Sequence, residues 1–245
     1  MSKSKNDRYI TRVYNLVGKA INTYELISAN DSVLIGLSGG KDSLALLESL
    51  AERLKYIPIT YTLMAMHVNI ENIDYSVNED AMTQLCKKYD IPLYIKNTTV
   101  AMQDESKSHC FKCSWHRRKM LFNAMGEFKC NKLALGHNKD DVLETVILNM
   151  LFNGNISTIP PKLSMFDGEF EIVRPLYLLS EKELVGFSKI RNYSVVNKEC
   201  PYADKSMRDK AKSLLKQMTD INPKSKNSIF SALSNIHNDY LPPKT

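Results

Sequence analysis

The stretch Ser38-Gly39-Gly40-Lys41-Asp42-Ser43 concentrates residues suited to holding an anion against peptide backbone. Two adjacent glycines let backbone amides approach a ligand closely, and Lys41 adds a full positive charge. The apolar run Val33 to Leu37 before it and an amphipathic stretch after it put the turn between a strand end and a helix N-terminus, whose partial charge favours phosphate. The loop is not a Walker A motif, because Lys41 stands where the second glycine, five residues past Gly36, belongs; nor does it fit G-x-G-x-x-G. A second polar set lies in Leu135-Gly136-His137-Asn138-Lys139-Asp140-Asp141. The paired carboxylates Asp140 and Asp141 suit Mg2+ or the positioning of a triphosphate, and either one alone also suits a helix cap. His67 and Arg174 each close a strand-like run. His67 either lines an adenine pocket or packs at its strand end, and Arg174 either faces the same crevice or sits in a buried structural pair.

Five cysteines is an odd number, and a chain of 245 residues buries enough apolar surface without covalent staples, so ligation or core packing accounts for them better than disulfides. Cys110 and Cys113 form C-x-x-C at the entrance of a predicted helix, where thiols ionise readily at metal-ligand spacing. Cys200, in the loop-like Lys198-Glu199-Cys200-Pro201, is the best third donor; Cys86 and Cys130 read as buried hydrophobes. Three thiolates hold either zinc with His109 or His116, or a 4Fe-4S cluster with one iron open, and the spacing does not choose.

The residues that would place these groups read as alternating strands and helices. Strands are predicted at Ser32 to Leu37, Tyr61 to Val68, Pro92 to Lys96, Lys132 to Gly136 and Glu171 to Arg174. Helices are predicted after Ser43, around Ala81 to Cys86, near Trp115 to Glu127, near Lys139 to Phe152, and beyond the capping box of Ser180 and Glu183. This pattern predicts an α/β fold: a doubly wound parallel sheet with a helical C-terminal extension. The boundaries read as an N-terminal helical segment (1–30), a nucleotide-binding domain carrying the cysteines (31–204) and a basic helical tail (205–245). In such sheets, loops leaving the carboxyl ends of neighbouring strands meet at one crevice, which is where the two polar sets are expected.

With 33 Lys and Arg against 27 Asp and Glu the chain is moderately basic, at +6, which favours an anionic partner such as a nucleotide or RNA without proving one. Lys205, Arg208, Lys210, Lys212, Lys216, Lys224 and Lys226 crowd the tail, as a solvated face or an RNA contact. Collagenous, disordered and disulfide-dense classes are excluded by composition. No run of roughly 18 apolar residues and no apolar leader core occur, so a cytoplasmic protein without membrane contact is expected.

SGGKDS resembles the pyrophosphate loop of the ATP pyrophosphatase superfamily, in which a substrate is adenylated with release of pyrophosphate. CFKCSWHRRKMLF, LALGHNKDDVLETVILNMLFNG and IPPKLSMFDGEFEIVRPLYLLSEKEL, followed by a lone cysteine, are similar to the tRNA 2-thiocytidine synthetase (TtcA) family from about Ser32 to Cys200. The resemblance implies ATP and Mg2+ held by Ser38, Gly39, Gly40, Lys41, Asp42, Ser43, His67, Gly136, His137, Asp141 and Arg174. It implies chemistry by Lys41, Asp42, Asp140 and Arg117, and a 4Fe-4S cluster on Cys110, Cys113 and Cys200 whose open iron carries sulfur. The implied partners are tRNA, thiolated at an anticodon-loop cytidine, and a sulfur donor such as a cysteine desulfurase or free sulfide; a homodimer is a further expectation. The rivals are thiolation of a small molecule by the same chemistry and a zinc-stabilised RNA-binding protein without turnover. Near Cys200 this chain reads CPYADKSMRDKAK, without the cysteine-rich turn of the family.

Overall fold

The computed structural model describes residues 4–101, 108–193, 196–198, 200–201 and 207–241, so Lys205 lies outside the described residues. Their contacts define two units, one drawn from 1–138 and 160–204, the other from 139–159 and 205–245.

The first unit is built on a six-stranded sheet. Its strands are β1 (Ser32–Leu37), β2 (Thr62–Ile70), β4 (Leu93–Thr98), β5 (Lys132–Ala134), β6 (Lys162–Met165) and β7 (Phe170–Val173), in the order β4-β2-β1-β5-β7-β6. All neighbours are parallel except β6, which runs antiparallel to β7. A separate ribbon pairs β3 (Ser76–Val77) with β8 (Val196–Lys198). The helices of this unit are α1 (Lys5–Thr23), α2 (Lys41–Arg53), α3 (Glu79–Lys88), α4 (His109–Glu127) and α6 (Glu181–Arg191).

Strand alternation distributes the core. Val33, Ile35 and Leu37 join the cluster containing Val17, Leu47, Met82 and Phe187 from the helices α1, α2, α3 and α6. Leu34, Met66 and Val68 join Leu121, Ala124 and Met125 of α4. Because successive strand residues point to opposite faces, each face receives its own helices, as a doubly wound sheet requires.

The structure departs from the sequence pattern at several ends. Ser108 caps α4, its hydroxyl accepting from the Phe111 amide at 3.3 Å, so the helix begins at His109 and includes both cysteines of the C-x-x-C. Strand β5 stops at Ala134. Strand β6 follows Pro160 and Pro161 and is an edge strand, the place in a sheet where neighbouring prolines do least harm. Its Lys162 donates to the Glu25 carbonyl at 3.1 Å.

The second unit contains α5 (Lys139–Leu148), a π-helical turn Asn149–Asn153 closed by left-handed Gly154, α7 (Met207–Ile221) and α8 (Ser225–Ala232). Leu143 and Ile147 of α5 pack with Ala211 and Leu215 of α7 and Ile229 and Phe230 of α8. Among the described residues no helix is long and apolar enough to cross a membrane.

Candidate functional site

Strand β1 delivers Ser38 to Ser43 onto the N-terminus of α2. The N-cap is Gly40, which has no side chain to occupy the first-turn amides. Ser43 organises the turn: its hydroxyl accepts from the Ser38 amide at 3.2 Å and donates to the Gly40 carbonyl at 2.9 Å. Gly39 has φ 78°, and a Cβ there would lie 2.6 Å from Cβ of Val77, so both conformation and space demand glycine. Gly136 packs against the same helix start; a Cβ would stand 3.2 Å from the Ser43 nitrogen.

Lys41 lies at the loop with Nζ 3.3 Å from Oδ1 of Asp42 and 4.0 Å from Oε1 of Glu181, the first residue of α6. The Asn138 side chain is buried and donates to Asp42 Oδ2 at 3.2 Å, joining the segment after β5 to the loop. Asn138 and Glu181 lie inside the family-like motifs, but the sequence assigns them no role there; the approach of separate strand ends makes them partners of Asp42 and Lys41.

His67 is buried, with Nδ1 2.8 Å from the Leu37 carbonyl, while Nε2 is buried without a hydrogen-bond partner. Burial lowers its pKa, and the Arg117 cation lowers it further, against the opposing backbone bond and Glu79. A neutral imidazole buttressing the carbonyl before the loop results. Arg174 is also buried: it donates to the Pro160 carbonyl and, from Nε at 3.3 Å, to Nδ1 of His137. Burial brings its pKa down to about 10, so it stays charged and props the His137 segment.

Helix α4 links this loop to the cysteines. Cys113, Arg117 and Leu121 recur at four-residue spacing and therefore share one face. Arg117 and Leu121 line a small cavity of about 120 Å³ with Gly36, Leu37, Ser38, Met66, Val68 and Leu135. The Arg117 guanidinium lies 5.1 Å from the centre of the Tyr75 ring, whose hydroxyl accepts from the Ile70 amide at 3.2 Å. One turn earlier, Cys113 and Cys200 pack with Tyr75 against buried Ile70, Ile73 and Val100. Burial raises the Cys113 thiol; Arg117 opposes this, and the Cys110 and Cys200 thiols both add to it. None of the five cysteines is in a disulfide, and Cys86 and Cys130 are buried. No three His, Cys, Asp or Glu side chains among the described residues stand at closed metal-ligand geometry. The soft donors, a neighbouring cation and an apolar wall nevertheless fit an anionic thiolate-bound cluster better than a hard cation.

In the second unit, Asp140 is buried and paired with Lys226 of α8 at 2.5 Å, and Asp141 lies 3.9 Å from Arg208 of α7. Glu144, one turn on, is pushed up to about 7, first by burial and then by Asp141, against Arg208 and Lys212. Lys139 donates to Asn227 at 2.7 Å. Thus Lys226, Arg208 and Lys212 face carboxylates of α5, and part of the basic tail is internal pairing.

A glycine-rich strand-to-helix loop with its lysine, beside a parallel-sheet crevice, defines a nucleotide-binding protein that grips pyrophosphate. A PP-loop domain matches residues 8–217. The tRNA-cytidine(32) 2-sulfurtransferase of Citrifermentans bemidjiense is 33% identical over 242 residues, covering 96% of this chain and 94% of that protein. The enzyme of the same description from Burkholderia vietnamiensis is 32% identical over 238 residues, covering 95% and 70%. Among solved structures, the U34-tRNA thiolase NcsA from Methanococcus maripaludis, with its [4Fe-4S] cluster, has a TM-score of 0.76 at 27% identity, over 98% of this chain and 82% of that one. The chain belongs to the PP-loop family, in the branch of the tRNA 2-thiocytidine synthetases.

Proposed function

We propose that the chain is an ATP-dependent tRNA sulfurtransferase that replaces the 2-oxygen of an anticodon-loop cytidine by sulfur. The observation that carries this reading is the α4 face on which Cys113, Arg117 and Leu121 run from the thiols to the cavity beside Gly36, Leu37 and Ser38. Over four residues a helix rises about 6 Å, so Cys113 and Arg117 lie one turn apart on that face.

ATP binds with its phosphates on Ser38 to Ser43. The base carbonyl oxygen attacks the α-phosphorus, the bond to the bridging oxygen breaks and pyrophosphate leaves. Lys41 stabilises the charge on pyrophosphate electrostatically, and Asp42, held by Asn138, keeps the lysine over the loop. A sulfur nucleophile then attacks C2 of the base, and AMP departs with the former carbonyl oxygen. Arg117 would meet the AMP phosphate, a role supported by its guanidinium standing over the Tyr75 ring beside the cavity. Cys110, Cys113 and Cys200 would hold a 4Fe-4S cluster, which supplies an open iron for sulfur when bound.

The protein works in the cytoplasm, drawing sulfur from a cysteine desulfurase or free sulfide. An apolar groove of about 320 Å³ in the second unit, between Ile147, Met150 and Ile156 and Leu214, Met218 and Ile229, supports a homodimer. The likeness to a U34 thiolase favours one second reading, a uridine acceptor, since cytidine and uridine offer the same C2 carbonyl. Mass spectrometry of tRNA nucleosides after anaerobic incubation with ATP, Mg2+ and sulfide tests this: 2-thiocytidine is expected. 2-Thiouridine would replace the acceptor, and no thiolated nucleoside would refute the function.

A further inference from the structure

Helix α4 also has an outward face that the chemistry above does not use. Phe111 and Trp115 are 50% and 47% exposed, large values for flat aromatic rings, and stand one turn apart. Arg118 and Lys119, both exposed, continue the same face; Nζ of Lys119 lies 5.4 Å from the centre of the Trp115 ring.

The charge of this helix is one-sided. Between His109 and Gly126 it contains Lys112, Arg117, Arg118 and Lys119 and not one Asp or Glu. Its first turn has no acid, although acidic side chains there would favour the helix dipole. A local preference forgone in this way is characteristic of a functional surface. A partner for it must be flat enough to stack on two rings about 6 Å apart along the axis and anionic enough to meet the cations. Single-stranded RNA offers both, because bases stack on aromatic side chains while phosphates pair with Arg and Lys.

We propose that Phe111, Trp115, Arg118 and Lys119 form a base-stacking platform for the anticodon-loop nucleotides that flank the base to be thiolated. The proposal rests on the tRNA sulfurtransferase reading and deepens it. Phe111 lies between Cys110 and Cys113 in the chain, so nucleotides stacked on this face are held beside the thiols while the neighbouring base turns toward the Arg117 cavity.

Trp115 is the single tryptophan, so its fluorescence reports on this face alone. Titrating the full-length protein with an unmodified anticodon stem-loop transcript should give saturable quenching. Trp115→Ala and Phe111→Ala should each weaken RNA binding about 5-fold or more and raise KM for tRNA, with ATP affinity unchanged. Trp115→Phe should restore most of the affinity, which a packing defect would not predict. Arg118→Gln with Lys119→Gln should flatten the salt dependence of binding. Wild-type protein that thiolates tRNA while Trp115→Ala keeps parental affinity and KM would overturn the platform and leave the function standing. The platform would also fall if Trp115→Ala lost only turnover driven by a protein sulfur donor and kept sulfide-driven turnover, since the face would then dock a protein. Failure of the wild-type protein to bind or thiolate RNA would refute the underlying function together with it.

Discussion

Lys41 is bracketed by two carboxylates, Asp42 and Glu181, so its ammonium is fixed at the loop and free of the entropy that a solvent-exposed lysine would lose on meeting phosphate. Lys41→Ala should therefore fold, with an unchanged melting temperature, while acceptor-dependent pyrophosphate release falls about 100-fold or more, the scale of removing one charge-stabilising donor. Parental rates in a pyrophosphate assay would remove Lys41 from the chemistry. Gly39 calls for a different expectation: Gly39→Ala must strain a φ of 78° and push into Val77, so the loop shifts and ATP affinity is lost even though every charged group remains. Isothermal titration with a non-hydrolysable ATP analogue measures that loss. The glycines, Lys41 and the C-x-x-C were legible because their chemistry depends on residues adjacent in sequence. The roles of Asn138, Glu181 and Tyr75 were not, since each acts on a residue brought near only by the strand order. For His67, sequence left lining and packing open; burial and the bond to the Leu37 carbonyl make it a support for the loop's entrance.

Elements are held in register by buried polar contacts as well as by the apolar face. Glu48, on α2 behind the phosphate loop, is 1% exposed and accepts from Tyr14 of α1 at 2.8 Å and from Tyr193 at 2.5 Å, with Arg191 of α6 at 2.6 Å. Removing the carboxylate leaves a charge and two hydroxyls without their partner, so Glu48→Ala should cost about 3 kcal/mol, read in urea unfolding. A second buried carboxylate gives pH dependence. Glu144 has its native pKa raised to about 7 from an ordinary 4.5, so between these values the folded state holds a proton that the unfolded state has lost. Stability from this group falls as pH rises through that window and is lowest above it. Glu144→Gln should remove the slope and gain about 3 kcal/mol over wild type at pH 8; parallel pH profiles of melting temperature would refute this. Sequence periodicity located β1 at its ends because the apolar run is bounded by Ser32 and the glycine loop. It missed the start of α4 and the short strand β6, where a serine cap and an edge position decide the boundary instead of apolar spacing.

At the scale of the molecule, a net charge of +6 indicated an anionic partner, but composition does not say which cations remain available to it. The structure separates them. Lys226 is paired with Asp140, and Arg208 and Lys212 act on the α5 carboxylates, whereas Lys210 and Lys216 are exposed on α7. An RNA held by its phosphates releases counterions on binding, so log affinity should fall linearly with log salt, by roughly 0.7 for each contacted phosphate of a single strand. Replacing Lys210 and Lys216 together by glutamine should weaken tRNA binding and make that slope shallower by about one to two, with ATP affinity unchanged because both residues lie outside the phosphate loop. Replacing Lys226 should act differently: Lys226→Gln leaves buried Asp140 without its cation, so it should lower the melting temperature while changing the salt slope little. Filter binding at several salt concentrations beside thermal melts distinguishes the two. Equal slopes for all three proteins would mean that the tail contributes no phosphate contacts, and that the positive charge meeting RNA lies on the first unit, where Arg118 and Lys119 are exposed.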